Sequence, residues 1–119
     1  VVEYRGLTVY FGGDTAYTAS FAHTGARFPG IDLAILPIAP IHPRSFMCRT
    51  HTDPREALLA FEDLGARHML AMHHDTFLNS LDEYGEASRT LRALLPGHGY
   101  DETRVAILGH GEQRIFVTR

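Results

Sequence analysis

The feature that most constrains the fold of this chain is a nearly continuous apolar run at residues 31–38, with the sequence Ile-Asp-Leu-Ala-Ile-Leu-Pro-Ile. A strand with so few polar positions offers no face to water, which is typical of a strand buried on both sides. A second run of this kind occupies residues 67–72. Helical patterns lie between and after these runs, and the alternation predicts an α/β layer structure.

The predicted elements alternate along the chain. Strands are predicted at residues 1–4, 7–12, 31–38, 67–72, 105–108 and 114–117, and helices at about 15–26, 53–64 and 80–95. The firmest local signal is Asp53-Pro54-Arg55-Glu56, which combines a cap residue, a proline at the first helical position and a glutamate that completes a capping box. Ser80-Leu81-Asp82-Glu83 predicts a second capping box at the start of the last helix.

Composition places the chain among single globular domains. Its 119 residues are 45% hydrophobic and 21% charged, which predicts one domain over residues 1–119. The net charge of -3 and the scattered arginines exclude a nucleic-acid-binding stripe. The single cysteine, Cys48, excludes an internal disulfide and fits a reducing, cytoplasmic location. The opening Val1-Val2, without a methionine, is typical of a piece whose N-terminal part lies elsewhere.

Three side chains stand where α/β folds collect their chemistry. Asp14 follows the second predicted strand and two glycines, His73 follows the fourth strand, and His51 lies in the long loop before a predicted helix. Alternatively, Asp14 caps the helix that follows it, and each histidine is a hydrogen-bonded surface or core residue. His42 shares the long loop, and His74 is expected to face away from His73. The other histidines fit solvated or turn positions: His23, His68, His98 and His110.

Aspartate and histidine together suit a metal centre. Neutral imidazole and carboxylate bind zinc, manganese or iron at neutral pH. One carboxylate can also bridge two ions about 3.5–4 Å apart, as in two-metal hydrolytic sites. The pattern is therefore compatible with a centre that includes Asp14 and His73. A different hypothesis, a thiol enzyme that uses Cys48 with His51 or His42, has no oxyanion or orienting motif to support it.

Four blocks of sequence resemble successive blocks of the metallo-β-lactamase superfamily. The resemblance is closest to the branch that contains N-acyl phosphatidylethanolamine-hydrolysing phospholipase D and its bacterial relatives, including a lactonase-like group. In chain order the blocks are Phe11-Gly12-Gly13-Asp14-Thr15-Ala16-Tyr17, residues 27–38, His51-Thr52-Asp53-Pro54-Arg55-Glu56-Ala57, and Ala71-Met72-His73-His74-Asp75-Thr76-Phe77. Four ordered blocks over most of the chain are a more specific signal than any single motif.

The resemblance implies a metal-dependent hydrolase. Its site would contain two divalent ions, usually zinc, with manganese or iron as alternatives. Hydroxide bound to the metal would attack a phosphodiester or a lactone-like ester of a small-molecule or lipid substrate. By the same resemblance, Asp14 is a catalytic residue that bridges the two metal ions, His73 is a ligand of one of them, and His51 is a catalytic residue close to the substrate. His74 and Asp75 replace residues that are often Trp and Gly in the phospholipase branch.

One expected motif is absent. The string His-x-His-x-Asp-His, which supplies most ligands in that family, occurs nowhere in these residues. The chain thus resembles only the C-terminal half of an αββα sandwich, a mixed sheet with helices on one face. Because one catalytic zinc takes three protein ligands, Asp14 and His73 alone are insufficient, and the isolated chain is expected to be inactive. We expect its apolar sheet face to pair with the missing half or with a second copy. The alternative is a non-catalytic half that serves as a binding or dimerisation module.

Overall fold

The computed structural model describes residues 1–116, which contain the strands and helices of an α/β fold. The strands are β1 (Val2–Tyr4), β2 (Leu7–Phe11), β3 (Leu33–Pro37), β4 (His68–Met72) and β5 (Val105–Ala106). The helices are α1 (Ser20–Arg27), α2 (Arg44–Met47), α3 (Pro54–Leu64) and α4 (Glu86–Leu94), and a 3-10 turn covers Pro96–His98.

The strands form one mixed sheet in the order β1-β2-β3-β4-β5. β1 and β2 form an antiparallel hairpin, and its turn at Arg5 and Gly6 has φ values of 50° and 77°. The other neighbouring strands pair in parallel. Because each parallel step crosses over through a helix, the carboxyl ends of β2, β3 and β4 lie at the same edge of the sheet.

A single buried cluster joins the helices to one face of the sheet. Alternate residues of β3 and β4 point into this cluster, because successive side chains of a strand lie on opposite faces. α1 approaches α3 closely at Gly25, where a Cβ atom would lie 2.4 Å from the Asp63 carbonyl oxygen. Gly25 lies within α1, which continues to Arg27, close to the predicted end at about residue 26. Large buried side chains of the cluster are Phe21, Leu36, Leu58, Phe61, Leu64, Met69 and Leu91.

The opposite face of the sheet is apolar and only partly covered by the described residues. Strand register and alternation place these side chains together on it: Val9, Phe11, Leu33, Ile35 and Leu70. Phe11 keeps 60% of its surface exposed, and the other four are half-buried. A mixed sheet with helices on one face and an apolar second face confirms the expected fold class, half of a metallo-β-lactamase sandwich.

Two helices begin later than predicted. α1 begins at Ser20 rather than Thr15, because the Thr18 hydroxyl accepts a hydrogen bond from the Ser20 N–H and favours a local turn. α4 begins at Glu86, so the predicted capping box at residues 80–83 is wrong. The Asp82 carboxylate instead accepts hydrogen bonds from a different loop.

The closing strand pair is also shorter than predicted. β5 extends over Val105–Ala106 only, and residues 114–116 form no strand, while Val117 lies outside the described residues. A turn between these segments is closed by the Glu112 N–H, which donates to the Gly109 carbonyl at 3.0 Å. After two paired positions with β4, the chain therefore leaves the ladder.

Candidate active site

The sheet edge formed by the carboxyl ends of β2, β3 and β4 brings Asp14 and His73 together. Gly12 follows β2 and lies against β3: its N–H donates to the Ile35 carbonyl at 2.9 Å, and a Cβ atom would lie 3.3 Å from that oxygen. Gly13 then turns the chain with φ +62°. The two glycines thereby deliver Asp14 to the edge, where its Oδ1 atom lies 3.2 Å from His73 Nε2.

Asp14 does not cap the helix that follows it. The N-cap residue of α1 is Ala19, which lies well beyond Asp14 in the chain. The Asp14 side chain stays at the sheet edge and is 66% exposed. The capping alternative is therefore wrong, and a role for Asp14 as a metal ligand stays a prediction.

The imidazole of His73 is held in one tautomer. Its Nδ1 atom lies 2.9 Å from the carbonyl oxygen of Ala39, which can only accept, so Nδ1 donates. In the neutral ring, Nε2 then carries the lone pair and faces the Asp14 carboxylate, so two acceptors lie 3.2 Å apart unless a cation or a proton lies between them. A hydrogen bond from the second ring nitrogen to a backbone carbonyl is the usual arrangement of a metal-binding histidine.

The spacing of these two atoms fits a shared metal ion. Two ligand atoms that bind one tetrahedral zinc ion at 2.0–2.1 Å are about 3.3 Å apart, and Asp14 Oδ1 and His73 Nε2 are 3.2 Å apart. A nitrogen and an oxygen ligand also suit zinc, manganese or iron. The residues present therefore fit a divalent ion, although they supply two of the three protein ligands that a catalytic zinc takes.

His51 stacks on His73. Their ring centroids are 5.7 Å apart and the ring planes differ by 18°. The His51 N–H donates to the Met47 carbonyl at 2.8 Å, and its Nδ1 atom is buried without a hydrogen-bond partner among the described residues. The structure thus brings Asp14, His51 and His73 together, and their roles in a site stay predictions.

Arg44 anchors the segment that carries His51, which we call the β3 loop (residues 38–53). Its guanidinium donates to the carbonyl oxygens of Pro40 and His51 and lies 3.1 Å from a carboxylate oxygen of Glu56. Glu56 and Asp53 form the predicted capping box of α3, with Glu56 N–H donating to Asp53 at 2.8 Å. The loop is therefore tied to a firmly specified helix start. No local motif indicates this role of Arg44, because its partners at Pro40, His51 and Glu56 meet only in the folded chain.

Asp75 anchors the segment after His73, the β4 loop (residues 73–85). Its carboxylate accepts hydrogen bonds from His74 Nδ1 at 2.8 Å, from the Ser88 hydroxyl at 3.0 Å and from the Gly85 N–H at 2.9 Å. Burial alone would raise the pKa of Asp75, but the hydrogen bonds from His74, Ser88 and Gly85 and the charge of the His74 ring hold it below the usual value. The sequence carried one signal for this role, which is that Asp75 stands where the phospholipase branch often has Gly.

A clasp of His42, Asp82 and Glu86 joins the two loops. Asp82 accepts from the N–H groups of Ile41 at 2.7 Å and His42 at 2.6 Å, and His42 Nε2 donates to Glu86 at 2.6 Å. Within residues 1–116, these three side chains are the only His, Cys or acidic group of three whose ligand atoms all lie within 4.8 Å. Because the second Glu86 oxygen accepts from the Glu83 N–H, the carboxylate oxygens are already engaged, and the cluster is a structural clasp.

Two clefts open beside His73. Their volumes are about 240 Å³ and 230 Å³, and His73, His74, Asp75 and Tyr84 line both of them. Phe77 lines the larger cleft and is 84% exposed. His73, one of the two candidate metal ligands, therefore faces space that can receive part of a small molecule.

The remaining candidates do not enter the site. Cys48 is exposed and its thiol donates to the Ser45 carbonyl at 3.6 Å, so its described hydrogen bond involves neither His42 nor His51. His98 pairs with Glu62 at 2.8 Å. Of the other histidines, His23 is exposed and His68 is half-buried. The exception is His110, which is exposed and lines the smaller cleft beside His73.

Among residues 1–116, every helix is too short or too polar to pass through a bilayer.

Comparison with known proteins gives independent evidence about the family of this chain. The family described as "Beta-lactamase superfamily domain" matches residues 1–74, a range that includes Asp14, His51 and His73. The chain is 37% identical over 93 residues to an uncharacterized protein of Mycobacterium tuberculosis. The aligned region covers 75% of this chain and 24% of that protein.

Other relatives carry functional names. The chain is 34% identical over 76 residues to N-acyl-phosphatidylethanolamine-hydrolyzing phospholipase D 1 of Caenorhabditis elegans, covering 63% of the chain and 21% of the relative. It is 40% identical over 78 residues to a metal-dependent hydrolase of Rubrobacter xylanophilus, covering 65% and 28%. The chain thus spans about a quarter of the length of the curated relatives it matches. The family match over residues 1–74, with the half-sandwich fold, shows that this chain belongs to the metallo-β-lactamase superfamily.

Proposed function

We propose that the protein containing this chain is a metal-dependent hydrolase of a phosphodiester or a lactone-like ester. The observation that carries the proposal is the convergence of Asp14 Oδ1 and His73 Nε2 to 3.2 Å at the sheet edge. The names of the relatives from Caenorhabditis elegans and Rubrobacter xylanophilus support it. The Ala39 carbonyl supports it further, because it leaves the His73 Nε2 lone pair for a ligand.

The proposed site would contain two divalent ions, with zinc favoured by its nitrogen and oxygen donors. When bound, such ions polarise the scissile bond and lower the pKa of water. Asp14 would hold both ions through its two carboxylate oxygens, and His73 would hold one. Both residues would be fixed before substrate arrives, since Gly12 and Gly13 set the position of Asp14 and Ala39 sets the His73 ring.

His51 would orient the substrate or give a proton to the leaving group. It stacks beside His73, and its described contacts do not include Asp14, so it would reach a substrate group without competing for the ions. Its Nδ1 atom is buried without a partner among the described residues, so a substrate would meet the ring on its Nε2 side. The ring is well placed for this role because Arg44 fixes its backbone.

The remaining metal ligands would come from polypeptide beyond these residues. A catalytic zinc takes three protein ligands, and Asp14 and His73 are two. The apolar face that carries Phe11 and Ile35 offers a surface on which such polypeptide, or a second copy, would pack. We therefore expect residues 1–119 alone to be inactive.

The substrate would occupy the clefts beside His73. Their lining combines apolar groups such as Phe77 and Tyr84 with the carboxylates of Asp82 and Glu83. The apolar part of this lining suits the hydrocarbon part of a small-molecule or lipid substrate, whereas its carboxylates would repel a polyanionic nucleic acid. The single charge of a phosphodiester would have to be offset by the metal ions.

Metal content tests the proposal directly. We expect about two ions per full-length protein, with a loss in Asp14→Ala and in His73→Ala. Asp101→Ala and His98→Ala are matched controls, because both lie outside the site and make hydrogen bonds of their own. Equal metal content in all four variants would contradict the assignment.

The alternative is a non-catalytic module that dimerises through the apolar sheet face. The exposure of Phe11 favours it. It predicts an oligomer without metal whose mass by analytical ultracentrifugation falls in Phe11→Glu. Metal-dependent ester hydrolysis that is abolished by His73→Ala would exclude this alternative.

A further inference from the structure

The turn from His73 to Asp75 has a backbone that most side chains avoid. His73 has φ 62° and Asp75 has φ 57°, both in the left-handed region where a Cβ atom crowds the following carbonyl. Such outliers persist only where the surroundings hold them in place. Contacts from neighbouring groups must therefore hold this turn.

Asp75 supplies those contacts. Its Oδ1 atom accepts from the Gly85 N–H at 2.9 Å, which ties the turn to the residue that precedes α4. Its Oδ2 atom accepts from Ser88, one turn into α4, and from the His74 ring, whose side chain is 10% exposed. One carboxylate therefore connects the turn to α4 and to a neighbouring buried ring.

We propose that Asp75 is a positioning residue for His73. His73 is held at its ring by the Ala39 carbonyl, at 2.9 Å from Nδ1, and at its backbone by the turn that Asp75 fixes. With both points fixed, Nε2 is kept 3.2 Å from Asp14. The inference rests on the proposed function in one respect, which is that a metal ion is the group that His73 Nε2 would bind.

Glycine separates the two ways in which Asp75 can act. If residue 75 mattered only for its backbone, glycine would adopt the left-handed conformation more easily than aspartate. If the carboxylate matters, glycine would release the turn from Gly85, Ser88 and His74. Asparagine tolerates the conformation and keeps one carbonyl acceptor, so it should rescue part of the effect.

The experiment uses the full-length protein labelled with 15N-histidine. The variants are Asp75→Gly, Asp75→Asn and Ser88→Ala, with Asp101→Gly as the matched control. Asp101 also accepts from a backbone N–H and a hydroxyl, both of Thr103, at an exposed turn. The readouts are the tautomer of the His73 ring by NMR without metal, and the zinc affinity by competition with a chelator.

In the metal-free wild type, we expect the His73 ring to be protonated at Nδ1. Asp75→Gly should mix the two tautomers and weaken zinc binding at least tenfold, the usual effect of losing a contact that orients a ligand. Asp75→Asn and Ser88→Ala should give smaller shifts in the same direction, and Asp101→Gly should give none. Ser88→Ala keeps the test available if Asp75→Gly does not fold.

An unchanged His73 tautomer in Asp75→Gly and Ser88→Ala would overturn the inference. The proposed function fails separately, if the wild type binds no metal or if Asp14→Ala and His73→Ala leave binding unchanged. In that case the tautomer measurement still decides whether Asp75 positions the His73 ring.

Discussion

The β3 loop and the β4 loop carry the two stacked histidines, yet side chains of opposite charge hold them. In the β3 loop, Arg44 donates to carbonyl oxygens and to carboxylates. In the β4 loop, Asp75 accepts from the Gly85 N–H of the same loop, and Asp82 accepts from two N–H groups of the β3 loop. Backbone groups of an irregular loop need partners wherever water is excluded. Among the described residues, backbone carbonyls without another partner accept from the Arg44 cation, and backbone N–H groups without another partner donate to the carboxylates of Asp75 and Asp82.

The two loops also differ in how their contacts are distributed. Arg44 alone contacts Pro40, His51 and Glu56. The β4 loop divides the same work between Asp75, which binds α4, and Asp82, which binds the β3 loop. A single replacement should therefore damage the β3 loop more than the β4 loop.

The largest effect is expected for Arg44→Ala. It leaves the Glu56 and Asp53 carboxylates without their cation and the His51 carbonyl without its donor. Charged hydrogen bonds of this kind are worth about 1.5–3 kcal/mol, so we expect a loss of about 3 kcal/mol in the free energy of unfolding by urea. Arg49→Ala is the control, because Arg49 is exposed in the same loop. Equal losses in both variants would show that the network around Arg44 does not hold the loop.

Asp82→Ala should have the next largest effect. It removes the acceptor of the N–H groups of Ile41 and His42, and Ile41 is buried. An N–H left without a partner costs about 1–3 kcal/mol, and partial access of water near His42 places the expected loss at about 2 kcal/mol. Hydrogen exchange at Ile41 and His42 checks the mechanism. Exchange that stays as slow as in the wild type would contradict it. Asp82→Asn, which keeps one acceptor, should lose less.

The two predicted capping boxes allow a paired test. Asp53 accepts from the Glu56 N–H in α3, so Asp53→Ala should cost about 1 kcal/mol. Ser80 lies ahead of α4 without capping it and accepts only from the nearby Asp82 N–H at 3.1 Å. Ser80→Ala should therefore cost less than about 0.5 kcal/mol. Helix content by circular dichroism and urea unfolding measure both, and similar losses would mean that Ser80 does cap a helix in solution.

This pair also shows how far sequence could predict the structure. The Asp53 box was predicted because all its partners lie within four residues. The Ser80 box failed because Asp82 finds its partners some forty residues earlier in the chain, at Ile41 and His42. Local patterns compete with distant N–H groups that the sequence does not reveal.

The candidate site shows the same difference between local sequence patterns and contacts with distant residues. Asp14, His51 and His73 were predicted from strand ends, a loop and a family resemblance, and the structure brings them together. Arg44 and Asp75 were missed as anchors, since their roles depend on groups that meet only in the folded chain. Sequence patterns therefore pointed to the candidate site residues more readily than to the side chains that hold those residues in place.

The smallest effect is expected for His42→Ala, which tests how much the clasp adds beyond Asp82. His42 donates to Glu86 at 2.6 Å, but its side chain is 45% exposed, and pairs open to water contribute about 0–1 kcal/mol. We expect a loss of about 0.5 kcal/mol, because the His42 N–H still reaches Asp82 after the ring is removed. His98→Ala is the matched control, since His98 pairs with Glu62 at 2.8 Å outside both loops. A loss as large as that of Asp82→Ala would mean that the ring, rather than the backbone bonds, joins the two loops.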